Sequence, residues 1–284
     1  MKDFGELTLI GEGEWSRAYA FERDGAEHVL RIGQFRDDFD KDALAVRYAN
    51  ASLPIPRVTE IAEGPDGWYA VSDFVPGTPF DFLDVDQVRA ALPHLFDTIE
   101  AISSCDISDR HGWGTWDATR NASHHSWPAA LLDVAHPRTP EWRTKLEQSP
   151  TGAAPFDDAY ECLRELANRI PHPHQLVHGD LFNHNVLIDD SRVSGVIDWG
   201  CSLYGDSLYD VATLTFWWLW TPKWASIDIR AEVQRRFDMP MFEDRVRACE
   251  LSIGLGAQAY QAATDRYDEL ERTARLTSEA AAHV

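Results

Sequence analysis

The segment from His178 to Gly200 constrains this chain more than any other. It opens as His178-Gly179-Asp180-Leu181-Phe182-Asn183-His184-Asn185 and continues into the apolar run Val186-Leu187-Ile188. Asp189-Asp190-Ser191 interrupts it before a second apolar run delivers Val196-Ile197-Asp198-Trp199-Gly200. Two apolar runs joined by a short polar turn predict an antiparallel hairpin. Such pairing returns the end of the second strand to the start of the first, so Asp198 comes back beside Asn185, with Asp180 in the turn just before. Three oxygen-bearing side chains then converge, a donor set suited to Mg²⁺, which takes one or two protein groups together with waters and substrate phosphates.

Taken singly, Asp180 and Asn185 also fit ordinary turn residues, and Asp198 a loop cap. The ordered set, with His178-Gly179 in front and a strand pair behind, points instead to a kinase-like site. Phosphoryl transfer asks for metal-held phosphates, a base or orienter for the attacking hydroxyl, and in-line positioning.

The rest of the chain supplies a frame for that segment. A chain of 284 residues suits one large domain or two modest lobes. Leu7–Ile10, Ala18–Glu22 and His28–Ile32 read as strands, with a hairpin turn at Asp24-Gly25. A helix is expected over Phe39–Ala51, with Phe39, Ala43, Val46 and Asn50 on one stripe, before Pro54-Ile55-Pro56 stops it. Two more strands, Arg57–Ala62 and Trp68–Phe74, flank Gly64-Pro65-Asp66-Gly67. Pro76-Gly77 marks a boundary between a β-rich lobe, 1–76, and a mainly helical lobe, 77–284. In the second lobe Val88, Leu92, Leu95 and Phe96 repeat at helical spacing, with Pro93 predicting a late start. Asp157-Asp158 reads as the cap of a further helix, and the tail over 242–282 as helical.

Three features of the first lobe fit a nucleotide. Gly11-Glu12-Gly13-Glu14-Trp15-Ser16 joins two strands, and its glycines let backbone N–H groups approach phosphates, although a plain hairpin turn gives the same pattern. Arg31 stands on a strand where a kinase places its phosphate-pairing lysine. The run Val71-Ser72-Asp73-Phe74-Val75-Pro76-Gly77 resembles an inter-lobe hinge, whose backbone around Asp73 and Val75 would pair with adenine.

Together these stretches resemble the aminoglycoside phosphotransferase family, a small-molecule branch of the protein-kinase-like fold. The likeness is ordered along most of the chain: the Gly-rich turn, Leu53-Pro54-Ile55-Pro56, Val75-Pro76-Gly77, His178-Gly179-Asp180 with Asn185, Ile197-Asp198-Trp199, and Gly205-Asp206 with Asp210. Within the family, Glu12-Gly13-Glu14, Ser16-Arg17-Ala18, Tyr48-Ala49 and Phe216-Trp217 with Trp220 resemble the branch acting on hygromycin B. The resemblance implies an α+β, two-lobed kinase-like fold, with ATP and Mg²⁺ as cofactors. It makes Asp180 the catalytic base or hydroxyl orienter and Asn185 and Asp198 the metal ligands. Gly11, Gly13, Ser16, Arg31, Asp73 and Val75 fall at the nucleotide, and His178 and Asp210 brace the catalytic loop. Arg31 replaces the family's lysine, and a guanidinium fork is not an equivalent point charge. Either Arg31 or Lys41, on the following helix, then reaches the phosphates. No glutamate on that helix is placed to pair with Arg31, and Asp42 is the nearest candidate.

Charge narrows the partners. Twenty-six basic against 47 acidic residues leave −21, which excludes a phosphate-backbone binder and disfavours an anionic membrane surface. Surface carboxylates that keep a soluble protein apart account for much of that charge, yet it also suits a cationic acceptor. For the sugar rings of such an acceptor, Trp217 and Trp220 are the leading candidates, then Trp127 with Trp113 and Trp116. Core packing is the alternative for each. His124-His125 reads as a solvated loop. Cys105, Cys162, Cys201 and Cys249 lie far apart and read as reduced core residues. An acidic amino terminus and the lack of a run near the roughly 20 residues of a spanning helix suggest a cytoplasmic protein, expected to act as a monomer. No Ala-Pro-Glu stretch is present, which argues against a protein substrate. An antibiotic O-phosphotransferase leads; a kinase for another hydroxylated metabolite and a non-catalytic pseudokinase are the alternatives.

Overall fold

The computed structural model of the chain describes residues 4–134 and 141–282. Strands β1 (Thr8–Glu12), β2 (Ser16–Arg23) and β3 (Ala26–Gly33) lead into helix α1 (Arg36–Ala45), followed by β4 (Val58–Gly64), β5 (Gly67–Asp73) and a short β6 (Thr78–Pro79). Then come α2 (Val85–Ser103), β7 (Trp113–Trp116), β8 (Ala122–His124), α3 (Trp127–Leu132), α4 (Trp142–Gln148) and α5 (Ala154–Ala167). The remainder runs β9 (Gln175–Val177), β10 (Val186–Asp189), β11 (Arg192–Val196), β12 (Leu203–Gly205), α6 (Leu208–Trp218), α7 (Ile229–Arg236), α8 (Phe242–Ala263) and α9 (Tyr267–Ala281).

The first five strands form one antiparallel sheet in the order β1-β2-β3-β5-β4. Asp24 and Gly25 both take positive φ, 55° and 76°, which is what a two-residue hairpin turn demands. Side chains alternate across a strand. Phe21, Leu30 and Val71 form a core on one face, with Phe4, Tyr19, Ile32 and Tyr69 packed against it. Arg31, between Leu30 and Ile32, therefore projects from the other face, in register with Ala18 and Ala70.

Two compact units are present. One comprises the described part of Met1–Asp106 with Trp116–Asn121 and His178–Ser202; the other holds Ile107–Thr115, Ala122–Val177 and the described part of Leu203–Val284. The segment 178–202 thus shares a unit with the five-stranded sheet, whereas the sequence reading places it in the second lobe. Within this unit β10 pairs with β11 and also with β6, so the chain just past Pro76-Gly77 is stitched to the 186–196 hairpin. Gly77 has φ +148°, and a Cβ there would sit 2.5 Å from Ser194 Oγ, so only glycine allows this approach. In the second unit β8, β7, β12 and β9 form a small sheet, and α8 packs against α4, α5, α6 and α9.

Several boundaries differ from those expected. Helix α1 begins at Arg36 and ends at Ala45, and the Asn50 side chain accepts the Ser52 N–H at 2.9 Å, a turn that takes Asn50 off the helical stripe. Helix α2 starts well before Pro93, because Asp84 and Gln87 form a reciprocal capping box. Helix α5 starts at Ala154, with Pro155 in its first turn and no side-chain cap, while Asp157 pairs with Arg143 at 2.6 Å. The helical tail breaks at Asp265, whose φ is 59°. All four cysteines are free, and only Cys249 is buried. Among the described residues no helix is long and apolar enough to cross a membrane.

Candidate active site

The 178–200 segment folds as its pattern requires. Asp190 and Ser191 take φ 45° and 63°, the left-handed pair of a tight hairpin, and Val186 lies opposite Val196. Ile197 N donates to Asn185 O at 3.0 Å, so Asp198 is returned to the Asn185 end. Asn185 Nδ2 donates to the main-chain oxygen of Asp180 at 2.9 Å and to its carboxylate at 2.8 Å. With its nitrogen engaged, Asn185 presents its amide oxygen, the atom a hard cation takes. Gly179 has φ +82° and Asp198 sits at φ 62°, ψ 66°. For an aspartate the left-handed region is a strained placement that surrounding structure must impose.

That structure is dense. His178 is wholly buried and packs edge-on against Trp199, with centroids 4.7 Å apart. Its Nε2 lies 3.1 Å from Ile197 O, and its Nδ1 accepts Asp180 N–H at 3.3 Å. The ring thus ties the backbone before Asp198 to the backbone of Asp180. Burial pushes its pKa down to about 4, against weaker upward pulls from Asp198 and the Ile197 carbonyl.

Arg31 reaches from β3 into the same cluster. Its Nη1 is 3.0 Å from Asp42 Oδ2 and its Nη2 donates to Asp198 Oδ1 at 3.2 Å. Burial opposes the guanidinium's charge, but Asp42 and Asp198 outweigh it and hold its pKa above the ordinary value. Burial likewise lifts Asp42 to about 6, more than Arg31 recovers. Asp42 Oδ1 also accepts the Trp199 N–H at 2.8 Å. Asp42 is therefore the partner that Arg31 needs. Lys41 is not placed as the alternative phosphate contact. It is 3% exposed, and its Nζ donates to Gly200 O at 2.7 Å and Ser202 O at 2.9 Å.

The glycine-rich turn lies between β1 and β2, where Gly13 N donates to Ser16 O at 2.9 Å and Arg17 pairs with Glu12 at 2.8 Å. Neither Gly11 nor Gly13 has a positive φ, and a Cβ on either would meet nothing closer than 3.7 Å. The fold by itself does not demand glycine there, which fits a backbone kept bare for a ligand. In the stretch that resembles a hinge, Asp73 N donates to Arg57 O and Phe74 N to Glu27 O. The Asp73 carboxylate pairs with Arg57 at 3.3 Å, and Val75 Cγ1 lies against Gly195 of β11.

In the second unit, Asp206 is buried and holds Arg245 through both oxygens, at 2.7 and 2.8 Å. Asp210 is 1% exposed in the first turn of α6. Trp217 and Trp220 are partly exposed and meet edge-to-face at 5.5 Å, with Arg272 stacked 4.2 Å over Trp220. Trp127 corrects the sequence reading. At 1% exposure it packs beside Tyr209 and fills the space left by the missing side chain of Gly205, so it presents no face to an acceptor. Trp116, in the first unit, is also buried, and Trp113 donates its indole N–H to Pro173 O at 2.9 Å. His124 pairs with Asp133 at 3.1 Å, and it closes strand β8 half-buried, where the sequence suggested a solvated loop. Among the described residues, no group of three His, Cys, Asp or Glu side chains is disposed to hold a metal. An amide and a carboxylate with substrate phosphates are the sparser set that Mg²⁺ uses.

Residues 6–251 match the APH phosphotransferase enzyme family. Over 263 residues the chain is 32% identical to hygromycin-B 4-O-kinase of Escherichia coli, spanning 92% of this chain and 75% of that protein. A thermostable mutant of aminoglycoside phosphotransferase APH(4)-Ia, in ternary complex with AMP-PNP and hygromycin B, superposes with a TM-score of 0.87 at 29% identity, covering 97% of this chain and 93% of that one. At 16% identity, the GDP complex of aminoglycoside 2'-phosphotransferase-IIIa shares the fold, with a TM-score of 0.63 over 99% of this chain and 94% of that one. The α+β, kinase-like fold expected from the sequence is thereby established, and the chain belongs to the APH phosphotransferase enzyme family.

Proposed function

We propose that this protein is an ATP-dependent O-phosphotransferase that moves the γ-phosphate to a hydroxyl of a hygromycin B-like aminoglycoside. One observation carries the reading: Asp180, Asn185 and Asp198 converge at one end of a hairpin, and Arg31 from the nucleotide-side sheet already touches Asp198. Asn185 and Asp198 would hold Mg²⁺, which when bound neutralises charge on the β- and γ-phosphate oxygens. Arg31 lies at the phosphates, held in place by Asp42. Gly11, Gly13 and Ser16 leave backbone for the phosphates, and the hinge at Asp73–Val75 takes the adenine. Asp180, its carboxylate oriented by Asn185, accepts a hydrogen bond from the acceptor hydroxyl and later its proton.

In this reading residues 1–76 bind nucleotide and residues 77–284 carry the catalytic loop and the acceptor site, with Trp217 and Trp220 as apolar faces for sugar rings. His178 and Asp210 brace the loop. The protein works as a cytoplasmic monomer and confers resistance to its acceptor; its 21 excess negative charges suit a polycationic antibiotic.

Coupled ADP release over a panel of aminoglycosides, hygromycin B included, tests the acceptor class. Asp180→Asn keeps the shape and a hydrogen bond but removes the base. It should lower kcat by at least about a hundredfold and leave the ATP KM nearly unchanged. Near-normal kcat in the folded variant would remove Asp180 from the chemistry.

A further inference from the structure

Lys41 is a charged side chain in a place where an apolar one would pack. It lies on α1, and its Nζ is 4.8 Å from the centre of the Trp116 ring, which shields it from water. Burial lowers its pKa to about 8, with Cys201, Asp38, Asp42 and Asp37 pulling it back up. A chain selected only to fold would gain little from a buried ammonium, since removing charge from water is unfavourable unless specific partners repay it.

Its partners say what it is there to do. Asp198 enters a single 3-10 turn, Trp199–Cys201, from a left-handed backbone conformation. The carbonyls at the end of such a turn have no partner within it and attract cations. Lys41 takes two of them, Gly200 O and Ser202 O. Its neighbour Asp42 takes the N–H at the start, Trp199 N, at 2.8 Å. Helix α1 therefore grips both ends of the turn with adjacent residues of opposite charge. It also lies close against the middle, where a Cβ at Gly200 would come within 3.2 Å of Asp38 Oδ1.

We propose that Lys41 is a positioning residue, which clamps the 199–202 turn to helix α1 and so holds the carboxylate of Asp198 where Mg²⁺–nucleotide needs it. The clamp acts through main-chain atoms, with no contact to nucleotide or acceptor. Its catalytic consequence rests on the function proposed above, but the clamp itself does not.

The decisive variant is Lys41→Met, which keeps the stem and removes the donors. Hydrogen exchange on the protein without nucleotide should show the amides of Trp199 and Ser202 exchanging at least about tenfold faster, while those of β2 and β3 are unchanged. Titration with AMP-PNP should show its Mg²⁺-dependent affinity falling about tenfold, and its metal-free affinity little changed. Lys41→Gln, with one amide donor on a shorter stem, should fall between the two. Wild-type exchange and wild-type Mg²⁺ dependence in folded Lys41→Met would overturn the clamp. Failure of both variants to fold would also overturn it, since Lys41 would then be a folding residue. Absence of turnover with every aminoglycoside in the wild type would sink the functional reading and leave the exchange and metal-binding results standing.

Discussion

His178 offers a stability measurement that tests the geometry of the proposed catalytic loop without any substrate. A carbonyl only accepts and a backbone N–H only donates, so Nε2 facing Ile197 O must carry the proton and Nδ1 facing Asp180 N–H must be bare. The folded protein therefore holds a neutral ring. Protonation would bury a charge and set two donors against each other at Nδ1. Burial lowers the pKa from 6.5 to about 4. Between those values the unfolded chain binds the proton and the folded one does not, so stability falls as pH drops from 6.5 towards 4 and loses nothing further from this group below that. At about 1.4 kcal/mol per pH unit, the loss is about 3 kcal/mol.

The perturbation is His178→Gln, which keeps a donor for Ile197 O but does not titrate. Urea unfolding of both proteins, from about pH 7.5 down to about pH 4, isolates the histidine in the difference between them. The wild type should be the more stable at neutral pH, and the gap should close by about 3 kcal/mol as the pH reaches 4. A gap that stays constant over that range would refute the neutral, doubly engaged ring.

The nucleotide side makes a second prediction. Arg31→Ala removes charge-assisted bonds worth roughly 1.5–3 kcal/mol, so steady-state kinetics should show the ATP KM raised roughly ten- to a hundredfold, with the acceptor KM much less affected. An unchanged ATP KM would move the phosphates to backbone groups. On the acceptor side, Trp217→Ala should raise the KM for hygromycin B while calorimetry shows ATP binding intact; unchanged acceptor kinetics would return Trp217 to packing alone.

What could be read from the chain beforehand follows the range over which each signal acts. The hairpin at Asp189-Asp190-Ser191 and the turn at Asp24-Gly25 are local: a few residues hold both the apolar runs and the turn chemistry, and both form as expected. The convergence of Asp180, Asn185 and Asp198 was legible for the same reason, since one hairpin brings them together. Trp127 was not, because its burial depends on Gly205, a residue without a side chain and far away in sequence. The late start expected for α2 failed where two local signals compete. Pro93 reads as a breaker, but it is exposed, and the capping box at Asp84 and Gln87 had already set the helix. Lys41 defeats pattern reading altogether. From the sequence it is a candidate for the phosphates, whereas its partners are main-chain carbonyls about which side-chain identity says nothing.

Arg31 and Asp42 show how two apparent departures explain each other. Taken alone, Arg31 looks like an imperfect substitute for the family's lysine, and α1 looks deficient for want of a glutamate. In the structure the longer, forked guanidinium meets the shorter carboxylate at 3.0 Å and still reaches Asp198 at 3.2 Å. A lysine, with one compact ammonium, would have to divide a single group between those two carboxylates, whereas the fork gives each its own nitrogen. The pairing also explains why Asp42 tolerates burial: Arg31 and the Trp199 N–H both stabilise its charged form. Arg31→Lys is therefore no conservative change at this site, because the shortened cation must release either Asp42 on the helix or Asp198, the proposed metal ligand.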